Sequence, residues 1–206
     1  MSLEWFLQIV VRQIVVPQNS SYNIPIQPKY EALIYDSGNH EKVKSDILDQ
    51  IESLALNGYT EVIGLRDLYP LPITDLSRLE RGLAFIPPII SPPTIPFSIV
   101  VAVHEVESWF IAECSHYECI DSRLINLFIT SNVGYDPCSV DVTTISGSAA
   151  DELKRIYQLV GKSYNKRKTN VERTVDCLDY INIYMLLRNR VQKLDELISK
   201  IDAFLT

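Results

Sequence analysis

The chain has 206 residues, of which 47% are hydrophobic and 22% charged, with a formal net charge of -7 at pH 7. That length can bury one sizeable core, and the balance is that of an ordinary globular protein. The acidic total argues against a dedicated nucleic-acid coat or a basic membrane binder, while leaving room for a local basic patch. No apolar run reaches the length of a membrane span, and Met1-Ser-Leu-Glu4 lacks a basic leader, so a cytoplasmic protein without a membrane partner is expected. Cys114, Cys119, Cys138 and Cys177 form no Cys-x-x-Cys pair. They read as buried, unpaired thiols rather than zinc ligands or a disulfide framework.

Leu3 to Val16 carries Trp5, Phe6, Ile9, Val10 and Val16 near helical spacing and stops at Pro17. A polar loop to Pro28 leads to a short strand, Tyr30 to Tyr35. His40 to Leu56 is amphipathic, with Val43, Ile47, Ile51 and Leu54 on one face and Asn57-Gly58 as its stop. Tyr59 to Leu65 is the next strand, so strand, helix and strand predict a βαβ unit and a parallel sheet. Thr74 to Ala84 is a short helix capped by Thr74 or Asp75, and the proline run Ile86 to Pro96 is an extended crossover. Ile99 to Val103 has the β-branched composition of a strand buried on both faces, and His104 to Glu113 reads as a helix directly after it. Further helices are expected around Ser122 to Phe128 and over Ala149 to Val160, Val171 to Leu187 and Val191 to Leu205. Ser131 to Ser148 reads as a loop.

Two strand ends carry carboxylates: Asp67 after the second strand, and Glu105 with Glu107 after the third. Open α/β sheets place ligands at that end. If the strands are neighbours, these groups can hold a Mg²⁺-type cation through oxygen ligands and support phosphoryl chemistry. On spacing alone, the capping of a turn by Asp67 and a helix-dipole role for Glu105 are the favoured readings. His104 reads first as a helix-start histidine satisfied by the backbone, with a role in the site as the alternative. Lys154, Arg155, Lys162, Lys166, Arg167, Lys168 and Arg173 form a basic stretch with Tyr157 and Tyr164 interleaved. It reads equally as a phosphate-contacting surface, with Lys162, Lys166, Arg167 and Lys168 at its centre, or as a solvated face. Ser146-Gly147-Ser148 lacks the context of a P-loop.

Asp67-Leu-Tyr-Pro-Leu-Pro72 resembles the Asp-x-Tyr-Gly-Leu-Pro signature of a bacterial family, domain of unknown function 4276. His104 to Glu113 resembles that family's Glu-x-Glu-Ala-Trp-Leu-Leu-Ala-Asp segment, and Glu41 to Leu48 its Tyr-Glu-Lys-x-Lys-x-Asp-Ile-Leu helix. The likeness covers roughly residues 30 to 113, and Tyr164-Asn-Lys166 is loosely similar beyond it.

The resemblance implies a Toprim-like α/β fold, a mostly parallel sheet flanked by helices. Residues 1-115 would form the core, with a helical part, 116-206, packed on it. It also implies acidic residues that hold Mg²⁺ or Mn²⁺, with Asp67, Glu105 and Glu107 as both metal-site and catalytic carboxylates, and Trp109 as a packing residue. The family opens on a strand ending in Glu-Gly-x-Thr-Glu; here Glu4 matches its second Glu and the first is absent. The implied function is a metal-dependent nuclease or phosphotransfer domain in bacterial defence or nucleic-acid processing. The alternative is a non-catalytic interaction module that partners an ATPase or self-associates. An enzyme needs the three carboxylates within about 5 Å of a shared point; an interaction module would show them dispersed or salt-bridged.

Overall fold

The computed structural model describes residues 43–86 and 93–205. The expected helix from Leu3, the strand from Tyr30, Glu4 and the centre of the proline run lie outside the described residues.

Helix α1 (Val43–Leu56) turns its single fully buried side chain, Ile51, inward and ends at Asn57-Gly58, where Gly58 adopts a φ of 86°. Strand β1 (Val62–Asp67) follows, then a 3₁₀ turn (Ile73–Asp75) and helix α2 (Leu76–Ala84). Strand β2 (Phe97–Ala102) returns parallel to β1, with Val62 opposite Phe97 and Asp67 opposite Ala102. Among the described residues this is a two-stranded parallel sheet, joined by a helix as a parallel pair requires. The expected mixed α/β class with parallel pairing is therefore observed.

Alternation along the strands assigns the two faces. Val100 and Ala102 enter the main core, against which Ile63 and Leu65 also pack. Val101 and Val103 form a smaller cluster with Leu68 and Leu83 beneath α2. A Cβ built on Gly64 would lie 2.8 Å from Ile47 Cδ1, so the missing side chain is what lets α1 close on β1. Asp67 shares the face of Ile63 and Leu65 and so points toward the helical half of the chain.

That half comprises α3 (Glu107–Ala112), α4 (His116–Ile120), α5 (Asn126–Val133), a 3₁₀ turn (Val142–Thr144), α6 (Ala149–Gln158), α7 (Lys168–Cys177) and α8 (Tyr180–Met185). A last 3₁₀ turn (Leu187–Asn189) precedes α9 (Gln192–Leu205). Helix α6 buries Ala149, Leu153, Ile156 and Tyr157 on one stripe against α3, while α9 packs on β2.

Several boundaries differ from the sequence expectation. The segment after β2 does not become helical at once: His104 has a φ of 64°, and α3 begins only at Glu107. Ser108 Oγ donates to the Val103 carbonyl and fixes this corner. Neither Thr74 nor Asp75 caps α2 through its side chain; Asp75 pairs with Arg78 instead. The helix expected around Ser122 to Phe128 starts only at Asn126, as α5, and runs on to Val133, so the anticipated loop starts only after Val133; α4 precedes the expected span. The helix expected over Val171 to Leu187 breaks at Leu178-Asp179, because the Asp179 carboxylate accepts from the Asn182 N–H and starts α8.

The cysteines also correct the reading of idle thiols. Cys114 bonds Cys138 across 24 residues, and Cys119 bonds Cys177 across 58. Spacing could not reveal these pairs, since each joins elements brought together only by packing; the second ties α4 to α7. Replacing Cys119 and Cys177 together by Ser should lower unfolding free energy by about 2–4 kcal/mol, the usual worth of a disulfide closing a long loop. Urea unfolding with and without reductant measures this, and a variant as stable as the oxidised parent would show that the bond contributes nothing.

Candidate functional site

The end of β1 and the corner after β2 bring Asp67, Glu105 and Glu107 to one place. The register sets Asp67 beside Ala102, so the two following segments leave the sheet together. Asp67 Oδ1 accepts from the Val106 N–H at 3.1 Å, which draws the corner over the strand end. Glu105 Oε2 accepts from Ser148 Oγ at 2.6 Å and from the Ala150 N–H at 3.1 Å, binding the N-terminus of α6. Glu107 is fully buried, and its Oε1 accepts from the Tyr164 hydroxyl at 2.9 Å. The turn-binding role read for Asp67 is observed, and Glu105 serves the N-terminus of α6 instead of its own helix. Asp67 and Glu105 satisfy backbone N–H groups, and in doing so they converge.

A cation stands among them. Lys166 Nζ lies 2.7 Å from Glu105 Oε1 and 3.6 Å from Glu107 Oε2. The sequence groups Lys166 with Lys162, Arg167 and Lys168 on a surface that reads equally as phosphate-contacting or solvated, and the structure divides that group. Lys168 pairs with Glu172 at 3.7 Å, Lys162 lies near enough to Asp121 to lower its pKa, and Arg167 sits at the start of α7. Arg155 pairs with Glu152, and Arg173 donates to the Ser163 carbonyl beside the Tyr157 ring. Of the basic stretch, only Lys166 reaches the carboxylates.

Three carboxylates and one ammonium carry a formal -2 when all are ionised, and the protonation energetics reflect it. Burial raises Asp67 to about 6, with Lys166 opposing the rise and Glu105 adding to it. Burial likewise raises Glu107, against Lys166 and with the two neighbouring carboxylates. Burial would raise Glu105 too, but the hydrogen bonds from Lys166, Ser148 and Ala150 outweigh it and hold this carboxyl below its ordinary value. Lys166 is raised: burial works against its charge, and Glu107 and Glu105 overcome that. Among the described residues the cluster holds fewer positive than negative groups. Glu107 Oε2 is buried and accepts no hydrogen bond from any described residue.

Sequence reasoning missed Ser148 and, in its structural role, Tyr164. Ser146-Gly147-Ser148 lacks the context of a P-loop, yet Ser148 both caps α6 and donates to Glu105. Tyr164 and Lys166 are two apart in a non-helical segment, a spacing that sends both side chains the same way. Tyr164 packs edge-on to Tyr157, whose hydroxyl meets His116 Nε2 at 3.1 Å and Thr174 Oγ1 at 3.0 Å. A rigid aromatic layer thus backs the site.

Among the described residues no three ligating side chains are gathered at metal-binding geometry. No family model, curated protein or solved structure matches this chain.

Two outcomes follow from the burial of Asp67 beside Lys166. The folded-state pKa of Asp67 lies above its ordinary 3.8, so the folded chain binds the extra proton between about pH 4 and 6, and stability falls as pH rises through that window. Asp67→Asn should remove this slope and raise stability at pH 8 by roughly 1–3 kcal/mol, read by urea unfolding across pH. Glu105 works in the opposite sense, since its stabilisation is lost as pH falls through its lowered pKa. In Lys166→Met, Asp67 should titrate above its parental value of about 6. Carboxyl-carbon NMR checks this, and an unchanged Asp67 would show that Lys166 does not act on it.

Proposed function

We propose that the chain is a Toprim-like protein whose Asp67, Glu105 and Glu107 bind a divalent cation and support phosphoryl transfer or cleavage on a nucleic-acid backbone. The observation that carries this reading is the charge at one strand-end site: among the described residues, three convergent carboxylates stand against a single ammonium. The family resemblance around Asp67-Leu-Tyr-Pro-Leu-Pro72 and Glu105-Val-Glu107 supports it independently of the geometry.

The residues fit a Mg²⁺-type ion on two grounds. The donor set is all carboxylate oxygen, which hard cations prefer, and Glu107 Oε2 is a buried oxygen without a hydrogen-bond donor. Bound there, Mg²⁺ or Mn²⁺ would supply Lewis-acid polarisation of a phosphoryl oxygen. The chain's own residues do the rest. Tyr164 orients Glu107, and Ser148 with the Ala150 N–H orients Glu105. The Lys166 side chain is 49% exposed, so it can swing outward and return its ammonium to phosphate oxygens.

One observation favours a second reading, a non-catalytic interaction module partnering an ATPase or a second copy. The Lys166 ion pairs already satisfy much of Glu105, as a structural salt bridge does.

Calorimetry with Mg²⁺ and Mn²⁺ at pH 6 separates the two. The metal-site reading expects binding accompanied by proton release, because Asp67 is near half-protonation at that pH, and expects both signals to vanish in Asp67→Ala. A wild-type protein that takes up neither ion would overturn the reading and leave the interaction module.

A further inference from the structure

A cavity of about 210 Å³ is lined in part by chain neighbours of the carboxylates Asp67 and Glu105. Leu68 follows Asp67, His104 precedes Glu105, and Gly147 precedes the Ser148 that donates to Glu105.

The cavity has two unlike walls. One is the segment from Tyr69 to Ile73, with two prolines that fix its backbone and with Leu71 and Ile73 left 36% and 48% exposed at the rim. The other is polar and built around His104. Its backbone stands in the left-handed region at a φ of 64°, a conformation that a histidine seldom adopts without compensation. Its carbonyl accepts from the Tyr69 N–H at 2.8 Å, which joins the two walls. Its ring Nε2 lies 3.2 Å from the Thr143 carbonyl. A carbonyl only accepts, so Nε2 carries the hydrogen, and in the neutral ring Nδ1 carries the lone pair. Thr143 is itself held by Asp141 Oδ1, which accepts from its N–H at 2.9 Å and its hydroxyl at 2.7 Å. The histidine's tautomer and position are thus set by a supporting chain of contacts.

We infer that this cavity takes the heterocyclic base of a nucleotide whose phosphate lies at the carboxylate centre, with the His104 ring as the polar contact to the base edge. The inference rests on the phosphoryl-chemistry reading of that centre and adds its substrate subsite. A base offers two apolar faces and a hydrogen-bonding edge, which match an apolar rim and one polar wall. The volume, below the roughly 300–1,000 Å³ of sites for drug-sized ligands, suits one flat ring system. A free mononucleotide and the terminal nucleotide of a strand present the same chemistry.

The test compares three probes on the intact chain by calorimetry with Mg²⁺: deoxyadenosine 5′-monophosphate, deoxyribose 5-phosphate and hexadeoxyadenylate. The nucleotide should bind about tenfold more tightly than the sugar phosphate, the worth of one stacked base. That preference should disappear in His104→Gly, which suits the backbone conformation while deleting the ring, and in Ile73→Asp at the exposed rim. Mg²⁺ affinity without nucleotide should be unchanged in Ile73→Asp. Tighter binding of the hexamer than of the monomer assigns the subsite to a strand end, and the reverse assigns it to a free nucleotide. Equal affinity for nucleotide and sugar phosphate, or a preference that survives both substitutions, overturns the subsite while leaving the metal reading intact. If the wild type binds no Mg²⁺, the metal reading falls, and the same titrations in EDTA decide the cavity alone. A base preference there retains it, and no preference overturns it.

Discussion

The imbalance of charge between Lys166 and the three carboxylates around it governs the arrangement of this half of the molecule. Burying carboxylates is costly unless each finds a donor or a counter-charge. Glu105 finds Lys166, Ser148 and the start of α6; Glu107 finds Tyr164; Asp67 finds the Val106 N–H. Each of these contacts also joins two elements distant in sequence. The site is therefore the joint between the strand ends and the helical half, and burial there gives Asp67 and Glu107 a raised affinity for protons.

Parallel pairing makes the joint achievable. Both strands end at the same edge, so the turn after β1 and the corner after β2 diverge from one point. The left-handed residue at that corner, His104, belongs to the same device: it reverses the chain so that Glu105 faces α6 while Glu107 enters the core. Behind it, Tyr164, Tyr157, His116 and Thr174 form a closed polar and aromatic layer that leaves Glu107 little freedom to relax.

A lysine among the carboxylates bears on how the proposed site would work. An ammonium on a flexible stem neutralises a carboxylate pair as a point charge and leaves readily. Glu105 and Lys166 thus hold the folded chain together in one state, and in the proposed metal-bound state the same ammonium faces phosphate. The disulfides restrain the surrounding helices through both, with Cys119–Cys177 fixing α7, which starts two residues after Lys166.

Much of this was legible from residue order alone. Periodicity located α1, β2, α6 and α9, because a buried stripe or a buried β-branched run leaves a local pattern. The strand–helix–strand order implied parallel pairing, and carboxylates at two strand ends marked Asp67, Glu105 and Glu107 as a candidate group. Only the tertiary structure decided that Lys166 joins them instead of facing solvent, since its partners lie about sixty residues away and no spacing rule links them. The break between α7 and α8 turned on a side-chain cap, the corner at His104 on a strained residue, and the cysteine pairs on helix packing. Each is a choice made by contacts distant in the chain or by a single hydrogen bond, and such contacts leave no period in the sequence.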